Sequence, residues 1–314
     1  MAAAETWTPI KLLAWTTEHF RKKGIESPRV NAEMLLAAAM GCERIALYAR
    51  FDSPVPPPIL DSFREMVRRR AAREPLQYIL GSVVFRRAKL AVGPGSFIPR
   101  PETEELVGAA LERIRPMPDE VIETADLCTG SGCIAIALCI EEPRVRVTAT
   151  DISGEALAWA ARNIAAHGLA GEPASAAPSS VASSPGALPP GWRVRLARGD
   201  LFDPLGETMR RAFHLIVANP PYIPREAAAS LAPEIAMHEP PEALFADDEG
   251  FAVAGRILAI AHEFLRPGGW VLVEIGENHG DRARAAMAAC PAYECVEVLR
   301  DLSGKERIAV ARRR

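Results

Sequence analysis

Leu215-Ile216-Val217-Ala218 runs without a polar residue directly into Asn219-Pro220-Pro221-Tyr222. An unbroken apolar run of this length reads as a strand buried on both faces, as in parallel sheets. Proline has a fixed φ and no N–H, so Pro220 and Pro221 cannot extend the ladder. The strand therefore ends at Ala218 and leads into a stiff, exposed corner. In open α/β sheets the C-terminal ends of the strands are where ligands bind. Asn219 can both donate and accept hydrogen bonds, whereas the Pro220 carbonyl only accepts. Two acceptors held side by side suit an NH2 group, and Tyr222 adds a flat face for a planar group. The alternative is a plain loop that happens to contain Asn-Pro.

From Val121 onward, strands alternate with helices, which predicts a parallel sheet. The first strand runs into Asp126-Leu127-Cys128-Thr129-Gly130-Ser131-Gly132, and an apolar helix from Ile134 to Ile140 follows. Small residues at such a turn let a ligand approach the backbone. The second strand, Val145 to Thr150, ends in Asp151. An acid there is placed to accept from both hydroxyls of a ribose. Ser153 is the better cap for the next helix, which leaves Asp151 free. Trp192 to Ala197 is the third strand, with Gly199-Asp200-Leu201-Phe202 at its tip. Asp200 can accept from the exocyclic amino group of an adenine, with Leu201 or Phe202 against the ring. A helix from Phe251 to Leu265 is expected to end at Arg266-Pro267-Gly268-Gly269, before a fifth strand from Trp270 to Ile275. Cys295 to Leu299 and Arg307 to Ala311 are expected as an antiparallel hairpin at the sheet edge. Residues 171–190 are low in complexity and too polar to order themselves, which predicts a disordered insertion.

Residues 1–75 read as a small helical domain. Leu12, Trp15 and His19, with Leu13 and Phe20, recur at helical spacing and stop at Gly24. Ser27-Pro28 looks like an N-cap with proline at the first helical position. Val30, Met34, Ala37 and Ala38 continue the apolar face of that helix. A short helix is expected around Glu43 to Tyr48, and another from about Ile59 to Pro75, with Arg68-Arg69-Arg70 as a solvated face. Residues 76–97 then form a linker, with Val83–Phe85 and Lys89–Val92 as a β-hairpin. The segment Phe97-Ile98-Pro99-Arg100-Pro101-Glu102-Thr103-Glu104 leads into the next helix. Either it is an ordinary helix start capped by Thr103 or Glu102, or it places Phe97, Arg100 and Glu102 over the site. Residue types alone leave both readings open.

The net charge of −3 supplies no basic footprint for duplex DNA. Residues 1–75 carry 12 Lys+Arg against 9 Asp+Glu, too weak an excess to imply nucleic acid. No apolar stretch is long enough to span a membrane. The first residues carry Glu5 and no h-region or Arg-rich targeting pattern. The six cysteines form no C-x-x-C pair and the histidines no ligand-like spacing, so neither a disulfide framework nor a metal site is expected. Together these features predict a cytoplasmic protein.

Several motifs coincide in one order: Pro75 to Gly81, Ile98 to Glu104, Asp126 to Gly132, Asp151-Ile152-Ser153, Asn219 to Tyr222 and Glu239-Pro240. In this the chain resembles the HemK/PrmC family of peptide chain release factor glutamine N5-methyltransferases, from about residue 10 onward. The resemblance implies an α/β class I methyltransferase domain over 98–314, with a Rossmann-like seven-stranded sheet, and a helical N-terminal domain that recognises substrate. It implies S-adenosylmethionine as cofactor and the glutamine of the Gly-Gly-Gln loop in class 1 release factors as substrate. A monomer is expected. Cofactor contacts are expected at Asp126, Cys128, Thr129, Gly130, Ser131, Gly132, Asp151, Asp200, Leu201 and Asn219. Substrate contacts are expected at Asn219, Pro220, Pro221, Tyr222, Phe97 and Arg100, with Asn219 and Pro220 carrying the chemistry. Cys128 stands where the family commonly has glycine, so the first turn of the loop must tolerate a Cβ. His279 stands where it often has glutamine, with no function evident from sequence. Competing readings are a ribosomal-protein glutamine methyltransferase and an adenine-N6 methyltransferase. The latter would need a basic face and a way to flip a base.

Overall fold

The computed structural model describes residues 6–170 and 192–314; the segment 171–190, expected to be a disordered insertion, lies outside the described residues. The chain divides into two compact units, Met1–Ser82 with Ala232–His238, and Val83–Leu231 with Glu239–Arg314.

The first unit holds α1 (Pro9–Lys22), α2 (Pro28–Ala39), α3 (Ala46–Ala49), α4 (Pro57–Ala71) and α5 (Leu76–Leu80). Proline opens α1, α2 and α4, where its missing N–H costs nothing. The core gathers Leu12, Leu13, Phe20, Ala32, Leu35, Leu36, Phe63, Val67 and Ile79. The buried face of α2 differs from the expected one. Val30 and Ala38 are exposed, while Ala32, Leu35 and Leu36 are fully buried, a stripe that removes more apolar surface from water. Trp15 also lies largely outside and stacks on His19. Ser27 occupies the N-cap position of α2 but with a left-handed backbone (φ 46°) and no capping bond. Asn31 instead donates to the Ser27 carbonyl at 3.2 Å. Arg68 pairs in solvent with Glu65, as a solvated face should, but Arg70 is buried. It donates to Asn31 Oδ1 (2.7 Å) and to Glu234 Oε1 (2.9 Å). Leu76–Leu80, expected to begin a linker, forms α5 because Ile79 finds a place in this core.

The second unit begins with the expected hairpin, β1 (Ser82–Phe85) and β2 (Ala88–Ala91), followed by α6 (Pro101–Ile114). Then come β3 (Ile122–Leu127), α7 (Cys133–Glu141), β4 (Val145–Asp151), α8 (Gly154–Ala166), β5 (Val194–Arg198) and β6 (Phe213–Ala218). The two-residue strands β7 (Ile223–Pro224) and β8 (Phe245–Ala246) flank α9 (Pro233–His238), which belongs to the first unit. The chain closes with α10 (Ala252–Phe264), β9 (Leu265–Glu274), α11 (Gly280–Ala288), β10 (Tyr293–Arg300) and β11 (Glu306–Arg313).

Seven strands make one sheet in the order β10-β11-β9-β6-β3-β4-β5. β5, β4, β3, β6 and β9 run parallel, and β11 is antiparallel to both β9 and β10. This is the class I methyltransferase sheet. The last two strands pair as expected, with β11 inside the sheet and β10 at the edge. β9 starts at Leu265, earlier than expected. Gly268 (φ 79°) and a register shift opposite Phe213–Leu215 let Arg266–Gly269 bulge within the strand instead of ending the helix. Side chains of β6 alternate between two cores. Leu215 and Val217 face the one shared with α6, α7 and α8; Ile216 and Ala218 face the one shared with α10 and α11. Strand order reverses between β3 and β6, where Leu127 pairs with Ala218. The loop 128–132 and the corner 219–222 therefore leave the sheet side by side, at the switch point where such sheets bind ligands.

Candidate active site

A cavity of about 530 Å3 opens at this switch point, within the usual size range for a cofactor site. The loop after β3 forms one wall. Cys128 and Gly130 both take positive φ (57° and 56°) and Gly132 takes 81°. The Cβ that Cys128 brings to a glycine-like position is thus accommodated in a left-handed conformation, which costs an ordinary residue about 1–2 kcal/mol. At Gly130 an added Cβ would meet nothing within 4 Å, so backbone is open to the cavity there. At Gly132 it would press on Ala160 of α8 at 3.4 Å, so this glycine serves helix packing.

Asp151 closes the loop from the neighbouring strand. Its Oδ2 accepts the Gly130 N–H at 2.8 Å and its Oδ1 accepts the Ser153 N–H at 2.9 Å. Ser153 does cap α8, its Oγ accepting from the Ala156 N–H. Asp151 is therefore not free, contrary to the expectation from sequence; each oxygen spends one lone pair on the backbone and keeps another. Burial raises its pKa, and the two backbone N–H groups oppose that. Further round the wall, Leu201 lines the cavity with a left-handed backbone (φ 48°), pinned by the Thr150 hydroxyl donating to its carbonyl at 3.0 Å. Phe202 turns away and stacks on Phe264 in the core, so of the two only Leu201 faces the cavity. Asp200 lines the cavity as expected but already accepts from Arg256 at 2.6 Å, a partner that sequence did not suggest. Open backbone at Gly130, spare carboxylate lone pairs at Asp151 and an apolar Leu201 fit a ribose and a planar base, as in S-adenosylmethionine.

Asp126 does not reach the cavity. It is fully buried beneath the loop, and its Oδ2 accepts from the Thr129 hydroxyl (2.6 Å) and the Ala135 N–H (3.2 Å). Burial pushes its pKa up to about 7. It shapes the loop from below.

The corner is half-buried rather than exposed. Pro220 is buried, and Asn219, Pro221 and Tyr222 are partly covered. The chain beyond it folds back, with the Ile223 N–H donating to the Leu244 carbonyl (3.0 Å) and β7 pairing with β8. Asn219 and Pro221 line the cavity. Asn219 Nδ2 donates to Thr103 Oγ1 at 2.9 Å, which fixes the amide and leaves its Oδ1 as a free acceptor. Thr103 lies in the first turn of α6 and caps nothing; the N-cap position belongs to Arg100. Tyr222 faces a second cavity of about 510 Å3 shared with Gly276, His279 and Arg307. His279 Nε2 donates to the Glu249 carbonyl (3.0 Å), and the ring packs edge-on against Phe251. It is a buttress of the loop behind Tyr222.

Phe97 lines the first cavity, whereas Arg100 does not. The Arg100 guanidinium lies 4.9 Å over the Phe97 ring and donates to Glu239 Oε1 at 2.5 Å. The other oxygen of Glu239 accepts the Ile98 N–H at 3.2 Å. This buried carboxylate ties the Phe97 segment to the loop beyond the corner; its place in the Glu239-Pro240 motif was the only sequence signal. Glu274, at the end of β9, is also fully buried and went unnoticed in sequence, where it closes an ordinary apolar strand. Among the described residues no cluster of His, Cys, Asp or Glu could hold a metal, and no helix is long and apolar enough to cross a membrane.

Comparison with known proteins places two family matches on the chain. The PrmC N-terminal domain matches residues 11–81 and the methyltransferase small domain matches residues 111–187. The release factor glutamine methyltransferase of Geobacter sulfurreducens is 37% identical over 98% of both chains. That of Streptomyces coelicolor is 37% identical over 96% of both. The solved protein-(glutamine-N5) methyltransferase (release factor-specific) of Alicyclobacillus acidocaldarius is 27% identical, covering 71% of this chain and 98% of that one, with a TM-score of 0.40.

Proposed function

The chain belongs to the release factor glutamine methyltransferase family, and from that premise we propose that Asn219 and Pro220 position the Gly-Gly-Gln glutamine of a class 1 release factor for methylation on its side-chain nitrogen. The observation that carries this reading is the hydrogen bond from Asn219 Nδ2 to Thr103 Oγ1, because it leaves the amide oxygen, not the amide NH2, for the substrate.

S-adenosylmethionine, when bound, supplies an electrophilic methyl group. Its ribose hydroxyls suit the spare lone pairs of Asp151, its adenine suits Leu201 and Asp200, and Gly130 admits close backbone approach. On the substrate side, a glutamine nitrogen is a poor nucleophile because its lone pair is delocalised into the carbonyl. Asn219 Oδ1 and the Pro220 carbonyl accept its two N–H groups and hold the nitrogen in one orientation. Such positioning lowers a barrier by roughly 7–11 kcal/mol when geometry is ideal. The same two dipoles favour the positive charge that nitrogen gains, and water takes the proton afterwards. Phe97 offers a flat face to the planar amide, and Arg100 acts by holding Phe97. The helical unit, Met1–Ser82 with Ala232–His238, selects the release factor.

Asn219→Ala tests this. Losing one fixed acceptor is analogous to losing one oxyanion-hole donor, about a hundred- to thousandfold in turnover. Single-turnover methylation of a Gly-Gly-Gln release factor should fall by that factor while cofactor affinity changes far less. Turnover near the unaltered rate would remove Asn219 from this role. Methylation of adenine in nucleic acid, with the release factor ignored, would overturn the substrate.

A further inference from the structure

Behind Asn219 lies a second layer of polar groups that the reaction as described does not use. Thr103 is fully buried and accepts from Asn219 Nδ2. Glu274 is fully buried too; no donor is aimed at either carboxylate oxygen with full hydrogen-bond geometry, and the Thr103 and Tyr222 hydroxyls are the neighbours able to turn toward it. The β6–β9 register pairs Ala218 with Val273, so Asn219 and Glu274 leave their strands as the next neighbouring pair. The groups that face the Glu274 carboxylate are the Thr103 and Tyr222 hydroxyls, the Arg307 guanidinium and the Glu102 carboxylate.

We propose that Glu274 and Thr103 form a positioning relay that sets the orientation of the Asn219 amide. This rests on the reading of Asn219 given above and extends it one layer inward. A carboxamide has two ends of nearly equal size, and a flipped Asn219 would aim donors at the donors of a substrate NH2. Something must break that symmetry. A hydroxyl has one proton and can accept only where that proton is not pointing. A carboxylate only accepts. With Glu274 ionised, the Thr103 proton turns to Glu274, Thr103 Oγ1 is left to accept from Asn219 Nδ2, and Asn219 Oδ1 faces the substrate. The chain of bonds then has a single polarity. Burial disfavours the carboxylate, pushing Glu274 up to about 7, while the two hydroxyls and Arg307 act the other way. A buried carboxyl of this kind is costly to keep unless it has a task.

Three isosteric or near-isosteric variants test the relay. Thr103→Val removes the hydroxyl at constant shape and should lower kcat roughly ten- to hundredfold, with KM for release factor and affinity for S-adenosylmethionine unchanged within threefold. Thr103→Ser restores the hydroxyl and should keep kcat within threefold of the unaltered enzyme. A merely structural threonine would show no such split between kcat and KM and no rescue by serine. Independently of any substrate, the Asn219 side-chain NH2 resonances in a 1H–15N spectrum of the full chain should move in Thr103→Val and in Glu274→Gln and stay in Thr103→Ser. Equal kcat for the valine and serine variants, or Asn219 resonances indifferent to both Thr103→Val and Glu274→Gln, overturns the relay. Failure of the unaltered enzyme to methylate release factor would instead sink the functional reading, and the resonances still decide the relay.

Discussion

Replacing Asp151 by asparagine separates a cofactor ligand from a backbone cap. In the structure each carboxylate oxygen already accepts one backbone N–H, from Gly130 at 2.8 Å and from Ser153 at 2.9 Å. The remaining lone pairs are the ones offered to the ribose. In Asp151→Asn one oxygen becomes an NH2, so a donor faces either the Gly130 or the Ser153 N–H. The same exchange removes one acceptor from the ribose. Each bond to a charged group is worth about 1.5–3 kcal/mol. Only the ribose bond bears on affinity, because the loop bond is absent from the free variant as well, so the expected loss is about 1.5–3 kcal/mol, or roughly ten- to a hundredfold in affinity. The loop bond is lost in the free protein too, so the fold should weaken modestly, offset in part because the variant removes a charge that burial disfavours. Titration calorimetry with S-adenosylmethionine reads the affinity. Thermal denaturation reads the fold, with and without ligand, because a ligand at a hundred times its Kd stabilises by about 2.7 kcal/mol. The pH dependence has a definite sign. The raised pKa means that, as pH falls, Asp151 takes up a proton and loses acceptors earlier than an ordinary aspartate, so affinity should fall in mildly acid solution. In the variant that limb should vanish. Affinity within threefold of the unaltered protein would show that Asp151 only caps the loop and α8.

Other perturbations follow from the same geometry. Gly250 has φ 90°, and a Cβ there would stand 2.2 Å from the Tyr222 carbonyl oxygen; Gly250→Ala should displace the corner, lower the denaturation midpoint by several degrees and reduce turnover, and an unchanged midpoint would show the loop to be pliant. Glu239→Gln should weaken the hold on Arg100 and Ile98 by about 1.5–3 kcal/mol, raising KM for release factor with little effect on cofactor affinity; an unchanged KM would detach Phe97 from substrate binding. Asp126 and Glu274 both rise to about 7 from ordinary values of 3.8 and 4.5. The folded chain thus keeps protons that the unfolded chain has released, so their contribution is full below about pH 4 and is lost as pH rises through 7, by roughly 3–4 kcal/mol per group. Stability of the apo protein should therefore decline from pH 5 to pH 8, and Asp126→Asn should flatten that slope; an unaltered slope would contradict it.

Much of the fold was legible because it rests on local pattern. Apolar runs ending in Asp126, Asp151 and Asn219 were enough to place three strands, and their order along the chain implied a parallel sheet. The open turn at Gly130 and the acid at Asp151 were legible for the same reason. What stayed hidden was tertiary. The bond from Asn219 to Thr103 joins residues 116 apart, and that from Ile98 to Glu239 joins residues 141 apart. Nothing in Thr103 distinguishes a helix cap from an acceptor for a distant amide until α6 and β6 are in place. Arg100 likewise carries the right charge for substrate contact, yet the Glu239 carboxylate and the Phe97 ring claim it. The apolar face of α2 was misassigned because valine and alanine at helical spacing compete with the bulkier Leu35 and Leu36, and packing favours the larger pair. The prolines of the corner signal a chain that leaves the sheet; they carry no information about the Leu244 segment that returns to cover it.

The distribution of charge around the site bears on rate. Methyl transfer removes the positive charge of the cofactor's sulfonium, so ionised carboxylates close to that centre would stabilise the ground state more than the transition state and raise the barrier. Three acids at or under the loop are placed or muted accordingly. Asp151 is the one proposed for the ribose end, Asp200 is neutralised by Arg256, and Asp126 lies under the loop with a pKa pushed up to about 7. At the corner itself the groups offered are the Asn219 oxygen and the Pro220 carbonyl, which are dipoles and not charges. Dipoles of fixed orientation favour the positive charge as it appears on the substrate nitrogen without binding the sulfonium tightly beforehand. Asn219→Asp makes that choice testable. It would place a full charge at the corner while keeping shape, so S-adenosylmethionine affinity should stay equal or rise as turnover falls by roughly the hundredfold or more expected for losing a positioned group. An aspartate variant with unaltered turnover would show that charge at the corner is tolerated and that orientation of the amide is not what the position is for.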